Sequence, residues 1–197
     1  MKPMTDMIPK LPIKIPERYQ KYIPKYYRWK TPRYWSNKKL REVSYAVEGS
    51  VVNVSAWGDK DKEGKHYIDY FPNAASYDMT NYSEWKGGDG ISLDLTKDLP
   101  KEFLMKWDVV FNHTTLEHIF DVHKAFENLC LMSKKYVFLV TPFKERVHDK
   151  EDYWRMTPQC IERLFNINGF KVMKSEISDY PLVPMSYIFT IALRDKK

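Results

Sequence analysis

Three places in the sequence carry side chains able to do chemistry at a cleft. The first is Asn112, His113 and Thr114, polar residues that close the apolar run WDVVFN (107–112) and are followed by Glu117 and His118. An imidazole exchanges a proton near neutral pH, and at the carboxyl end of a strand His113 is the candidate to contact cofactor or substrate. Glu117 and His118 fall in the first turn of the next predicted helix, where a carboxylate is favoured by the helix's positive end. The second place is Asp152-Tyr153-Trp154-Arg155, an acid, two rings and a cation in succession, with Arg146 and His148 nearby. Such a segment suits a lid over a substrate or contact with an anion, and it equally suits a packed loop whose Trp154 closes the core edge. The third is a dispersed set: Ser55, Ala56 and Gly58 after SVVNV, Asp78 in AASYDM, and Asp94-Leu95 after Ile91–Leu93. Without a ligand, Asp78 would cap the turn before Thr80-Asn81 and Asp94 would N-cap a helix beginning near Thr96.

The elements that must hold these residues alternate between strand and helix patterns. Ser50–Val54 reads as a first buried strand after the Glu48-Gly49 turn, and AASYDM as a second. A short helix is expected around His66–Phe71. The glycine-rich turn 86–90 leads to a third strand at Ile91–Leu93, and WDVVFN is the fourth. The segment TTLEHIFDVHKAFENLCLMSK has apolar residues at helical spacing, KKYVFLVTP (134–142) reads as a strand stopped by proline, and Gln159–Asn168 as a helix capped by Thr157. Gly169–Ile177 and Met185–Leu193 are two further strands across the connection SDYPLVP. Alternation of this kind predicts an α/β fold with a doubly wound, mostly parallel sheet.

Composition divides the chain at about Val43. Residues 1–41 hold twelve Lys or Arg against Asp6 and Glu17, a net +10, which leaves the remainder of a +6 chain at −4. Six prolines precede position 35, and Tyr19, Tyr22, Tyr26, Tyr27, Trp29, Tyr34 and Trp35 interleave with the cations. This defines a basic N-terminal arm, 1–41, and an α/β domain, 42–197. The arm is expected to be extended and to serve as an accessory binding or assembly element, docking on its own domain or on a second subunit. Cations among aromatics also suit phosphate contact with base stacking, so nucleic acid is an alternative partner, less favoured than a small molecule. No apolar run is long enough to span a bilayer and the amino terminus lacks a signal-peptide core, so a cytoplasmic location is expected. Cys130 and Cys160 stand alone in helical segments, which predicts two buried thiols and no metal site. Nucleophile-elbow, P-loop and HExxH patterns are absent, which removes support for hydrolase, NTPase and zinc-protease chemistry.

The stretch Trp107-Asp-Val-Val-Phe-Asn-His-Thr-Thr-Leu-Glu-His-Ile119 resembles the fourth strand and following turn of the class I S-adenosylmethionine-dependent methyltransferases. Val137-Phe-Leu-Val-Thr-Pro142 resembles their fifth strand, and Asp152-Tyr-Trp-Arg-Met-Thr-Pro158 a segment found in a subgroup of them, so the resemblance covers about residues 48–195. It implies a seven-stranded Rossmann-like sheet with an antiparallel last strand and S-adenosylmethionine as cofactor. The resemblance places Ser55, Ala56 and Gly58 at the methionine end of that cofactor, Asp78 at its ribose hydroxyls, Asp94 and Leu95 at its adenine, and Asn112 and His113 beside the sulfonium. His113, Trp154 and Arg155 become the candidates for acting on the acceptor. The chain departs from the family at Asn53-Val-Ser-Ala-Trp-Gly58, which offers one glycine where two or three are common, and Trp57 is expected to point away. The implied activity is methylation of an oxygen or nitrogen on a small-molecule or sugar-type acceptor. A non-catalytic binding or assembly protein of the same fold, and a nucleic-acid-directed enzyme using the arm, are the alternatives.

Overall fold

The computed structural model describes residues 31–82, 90–178 and 185–195. Most of the basic arm, the turn 86–89 and most of SDYPLVP lie outside these residues, as does the expected docking of the arm. Seven strands form one sheet: β1 (Ser50–Val54), β2 (Ser76–Asn81), β3 (Ile91–Ser92), β4 (Trp107–His113), β5 (Ser133–Lys144), β6 (Phe170–Ile177) and β7 (Ser186–Arg194). Their order is β3-β2-β1-β4-β5-β7-β6. Strands β1 to β5 pair in parallel, and β7 runs antiparallel to both β5 and β6. The parallel pairs bring the carboxyl ends of β1, β2 and β4 to one edge, with Val54 beside both Thr80 and Asn112.

Helices cover both faces. Helix α2 (Val122–Met132) and helix α3 (Pro158–Ile167) bury Phe126, Leu129 and Phe165 against Val52, Val54 and Val110 on one face. Helix α1 (Thr31–Ser44) and the short turn Tyr67–Tyr70 cover Val51, Val109 and Phe111 on the other. The compositional boundary at 41 therefore falls inside α1, and residues 32–41 belong to the compact unit Pro32–Lys197. All the arm's prolines lie before this helix or in its first turn, where a missing N–H costs nothing.

Asp108, the acid that opens β4, is a staple at the opposite edge from the strand ends. It accepts from the Ser50 amide at 2.8 Å and the Ser50 hydroxyl at 2.7 Å, bonds that hold its carboxyl below the usual carboxylate range. A Cβ on Gly49 would stand 2.6 Å from Asp108 Oδ2, so that glycine is required by close approach.

Three expectations about elements are corrected. The helix anticipated from Thr114 onward begins at Val122, where Asp121 accepts from the Lys124 amide. Leu116–His118 form a separate short turn before it. Strand β5 continues through Pro142 to Lys144, because β7 pairs with it there and tolerates a missing donor at a register shift. Cys130 is buried, whereas Cys160 is exposed in the first turn of α3. Among the described residues no helix is long and apolar enough to cross a membrane, and no cluster of side chains could hold a metal ion.

Candidate functional site

The loop that leaves β1 has the backbone of a glycine-rich turn with a single glycine in it. Ser55, Trp57, Gly58 and Asp59 all take positive φ (60°, 43°, 73° and 61°), a conformation that disfavours three of the four. The cost is offset by a buried anchor. Asp59 is buried and accepts from the Asn53 side-chain amide at 2.8 Å, from the Ile68 amide at 2.8 Å and from the Tyr77 hydroxyl. Asn81 at the end of β2 accepts from the Trp57 amide at 2.8 Å, and the Ala56 amide donates to Thr80 O at 3.0 Å. Strain held by surrounding structure is a mark of functional loops.

This loop forms one wall of a cleft of about 870 Å³ beyond the ends of β1 to β4, large enough for a nucleoside-sized ligand. Ser55, Trp57, Asn81 and Asp94-Leu95 line it on one side, and Thr115, Phe120 and Tyr153 on the other. Trp57 is 82% exposed at the rim, so it joins the cleft wall where the sequence suggested that it point away. Phe120 meets Tyr153 edge-on with ring centroids 5.4 Å apart. Asp94 turns its Oδ1 onto the Thr96 amide (2.8 Å) and hydroxyl (2.7 Å), which lowers its pKa against the opposing effect of burial. Its Oδ2 makes no hydrogen bond among the described residues. Asn128, inside α2, fixes this turn by donating to Leu95 O at 2.9 Å and Lys97 O at 2.7 Å.

The other candidates are divided between the two faces. Asp78 lies in the middle of β2, three residues before its end, where its Oδ2 accepts from Trp107 Nε1 at 2.6 Å; it is not part of the cleft wall. Asn112 is fully buried and donates to Val54 O at 3.0 Å, and its Oδ1 has no partner among the described residues. His113 points to the α1 face, buried against Tyr67, Phe111 and Tyr187. Arg33 Nη1 lies 2.9 Å from His113 Nδ1, and a guanidinium only donates, so Nδ1 is the acceptor and Nε2 carries the proton. Nε2–H then donates to Ser36 Oγ at 2.9 Å, and Ser36 donates to Arg33 O at 2.9 Å. Burial, followed by the charges of Arg33 and Lys62, holds the His113 pKa well below its usual value. The imidazole is thus neutral, with both ring nitrogens engaged.

Trp154 is a packing residue whose Nε1 donates to Ile119 O at 3.0 Å, and Arg155 is clasped by Asp152 and by Glu145 O at 3.1 Å. Their neighbour Tyr153 is the member of this segment that reaches the cleft, and His118 ties the segment down by its contact with Glu151 O at 3.0 Å. Glu117 is buried, its Oε2 has no partner among the described residues, and burial pushes its pKa up to about 8. Arg33, Asn81 and Asp59 were not candidates from sequence. Arg33 sits in the compositionally basic arm, and Asn81 and Asp59 resemble ordinary turn residues until the strands are aligned.

Many solved structures share this architecture. A putative methyltransferase from Bacillus halodurans C-125 matches with a TM-score of 0.64 over 81% of this chain and 99% of its own, at 11% identity. The chain has the class I methyltransferase fold. A Burkholderia thailandensis 1,6-didemethyltoxoflavin-N1-methyltransferase, solved with its substrate and S-adenosylhomocysteine, matches at TM-score 0.59 and 11% identity over 82% of this chain and 79% of that one. The [4+2]-cyclase SpnF shares this methyltransferase fold at TM-score 0.65 and 10% identity, over 86% and 83% of the two chains. No protein-family model and no curated protein matches the sequence.

Proposed function

We propose that this protein is an S-adenosylmethionine-dependent methyltransferase acting on an oxygen or nitrogen of a small-molecule acceptor. The observation that carries the reading is the loop Ser55–Asp59, left-handed at every residue but Ala56, which opens at the strand ends into a cleft where the same wall presents an Asp94 carboxylate oxygen with no hydrogen bond among the described residues. The donor set fits the cofactor at two of three points. Asp94 Oδ2 can accept from an adenine amino group, and the Ser55–Gly58 backbone allows close approach of an amino-acid moiety. At the end of β2 the chain offers Asn81, an amide, in place of the acid expected from Asp78. The Asn81 side-chain nitrogen is a donor for a ribose oxygen.

The bound cofactor would supply an electrophilic methyl group on a sulfonium. The chain's own residues then align and desolvate, because an in-line displacement needs position above all. Trp57, Phe120 and Tyr153 supply apolar walls, and the Thr115 turn separates the cleft from the α1 face.

Calorimetric titration with S-adenosylmethionine and S-adenosylhomocysteine tests the cofactor. One-to-one binding of both is expected. Absence of heat at millimolar concentration would replace this reading with that of a binding or assembly protein; the fold by itself does not fix the activity, since the [4+2]-cyclase SpnF shares it.

A further inference from the structure

We propose that His118 is the base of this cleft and that the acceptor is a phenol, a hydroxyl on a planar aromatic ring that lies against Phe120 and Tyr153. Its part in a methyl transfer rests on the function proposed above; the phenol subsite itself rests on the geometry of residues 117–120 and 151–154.

Three hydrogen bonds stitch those two segments together. The Tyr153 amide donates to Glu117 O at 2.8 Å, the His118 ring meets Glu151 O at 3.0 Å, and Trp154 Nε1 donates to Ile119 O at 3.0 Å. The middle bond fixes the state of the imidazole. A carbonyl oxygen only accepts, so His118 Nδ1 carries the proton and, in the neutral ring, Nε2 keeps its lone pair. Nε2 stands 3.9 Å from Glu117 Oε1, too far for a hydrogen bond, and has no hydrogen-bond partner among the described residues. The ring also packs edge-on against His148 with centroids 5.2 Å apart, and His148 is held in turn by Asp152 Oδ2 at 2.9 Å. His118 therefore lines the cleft about one-third exposed, oriented through its protonated nitrogen with the basic one unspent. His113 is the opposite case, with both nitrogens engaged on the α1 face.

The same wall supplies the rings. Phe120 is 73% exposed and Tyr153 46%, and apolar rings left open beside a base are surface that a planar ligand covers. The base then selects the chemistry. An imidazole can take the proton of a phenol, whose ordinary pKa is about 10, whereas an aliphatic hydroxyl is too weak an acid and a neutral amine or a carboxylate is nucleophilic without a base. As the acceptor reacts, its O–H proton passes to Nε2 while the oxygen–methyl bond forms and the methyl–sulfur bond breaks, the electron pair of that bond staying on sulfur. The exposed imidazolium returns the proton to solvent.

The test is nuclear magnetic resonance of the full chain labelled at its histidine nitrogens, titrated with para-cresol and with para-methylanisole, which has the same ring without the acidic proton. The unliganded protein should hold His118 as the Nδ1–H tautomer. Para-cresol should then displace its Nε2 signal saturably and bind at least about fivefold tighter than the ether, the factor that one hydrogen bond supplies. In His118→Asn, which keeps a donor near Glu151 O and removes Nε2, that preference should vanish while the ether, followed through the ring signals of Phe120 and Tyr153, binds as before. An Nε2–H tautomer overturns the proposal, and so does equal affinity for the two probes or a preference that survives in His118→Asn. Should the variant not fold, the tautomer and the two titrations of the unmodified chain decide. S-adenosylhomocysteine is titrated separately: its binding without a phenol effect at His118 removes this proposal alone, and the reverse removes the methyltransferase reading and leaves a phenol site.

Discussion

The two sides of the β4 turn are built from opposite materials. Toward the cleft, the walls are exposed rings and a strained loop, with Trp57, Phe120 and Tyr153 at the rim and one carboxylate oxygen of Asp94 unspent. Toward α1, Arg33, Ser36, His113 and Thr114 form a buried network in which nearly every donor has an acceptor. The difference shows how a sheet edge can separate two tasks. Shape and stacking surface come from loops that tolerate exposure, whereas fixed charge needs a lattice of partners, because a buried cation without them is expensive.

The sharpest way to break the comparison is at Asp59, which supports the strained loop from below. Asp59→Ala strands the Asn53 amide, the Ile68 amide and the Tyr77 hydroxyl, and is expected to cost about 3–5 kcal/mol of stability. Chemical denaturation measures this, and a loss under about 1 kcal/mol would show that the loop supports itself.

Glu117 tests the buried side through pH. Its folded pKa of about 8 lies above the ordinary unfolded value, so the folded state holds the extra proton in the window between them. The sign follows: this contribution is fully present at low pH and is lost as pH rises toward 8. Glu117→Gln should remove that decline and leave the variant more stable at pH 8 by roughly 2–4 kcal/mol. Denaturation midpoints of the two proteins at pH 5 and pH 8 check it; parallel profiles would show that Glu117 ionises normally.

Asp94→Asn keeps an acceptor for the Thr96 turn while removing the charge from the cleft. Weaker S-adenosylhomocysteine binding by about 1–2 kcal/mol is expected, with little change in melting temperature. The smallest effect is expected at Asp78. Asp78→Asn should cost about 0.5–1.5 kcal/mol of stability through the Trp107 bond and leave cofactor affinity unchanged. A large loss of affinity there would return the ribose contact to Asp78.

Most strands were legible because each is a short apolar run ended by a turn, and β1, β4, β6 and β7 fall within a residue or two of their expected limits. Helix α3 was legible from Thr157, Pro158 and Gly169, which act locally. Helix α1 was not, since beyond Pro32 in its first turn its buried residues are Ser36, Asn37, Leu40 and Ser44. A helix face made mainly of small polar residues carries no apolar period. Its burial is permitted only by distant partners: His113 for Ser36, Asp61 O for Asn37 and Tyr70 O for Ser44. The site was legible in part for the same reason. Asp94 follows its strand directly and lines the cleft, whereas Asp78 is separated from it by the true length of β2.

The order of apolar runs and turn residues in the sequence determined the α/β alternation and the position of most strand ends, because those signals are local in the chain. The face on which each end residue emerges was decided by tertiary structure alone. Side chains alternate along a strand, so the single step from Asn112 to His113 turns one inward beside Val54 and delivers the other to Arg33, 80 positions away.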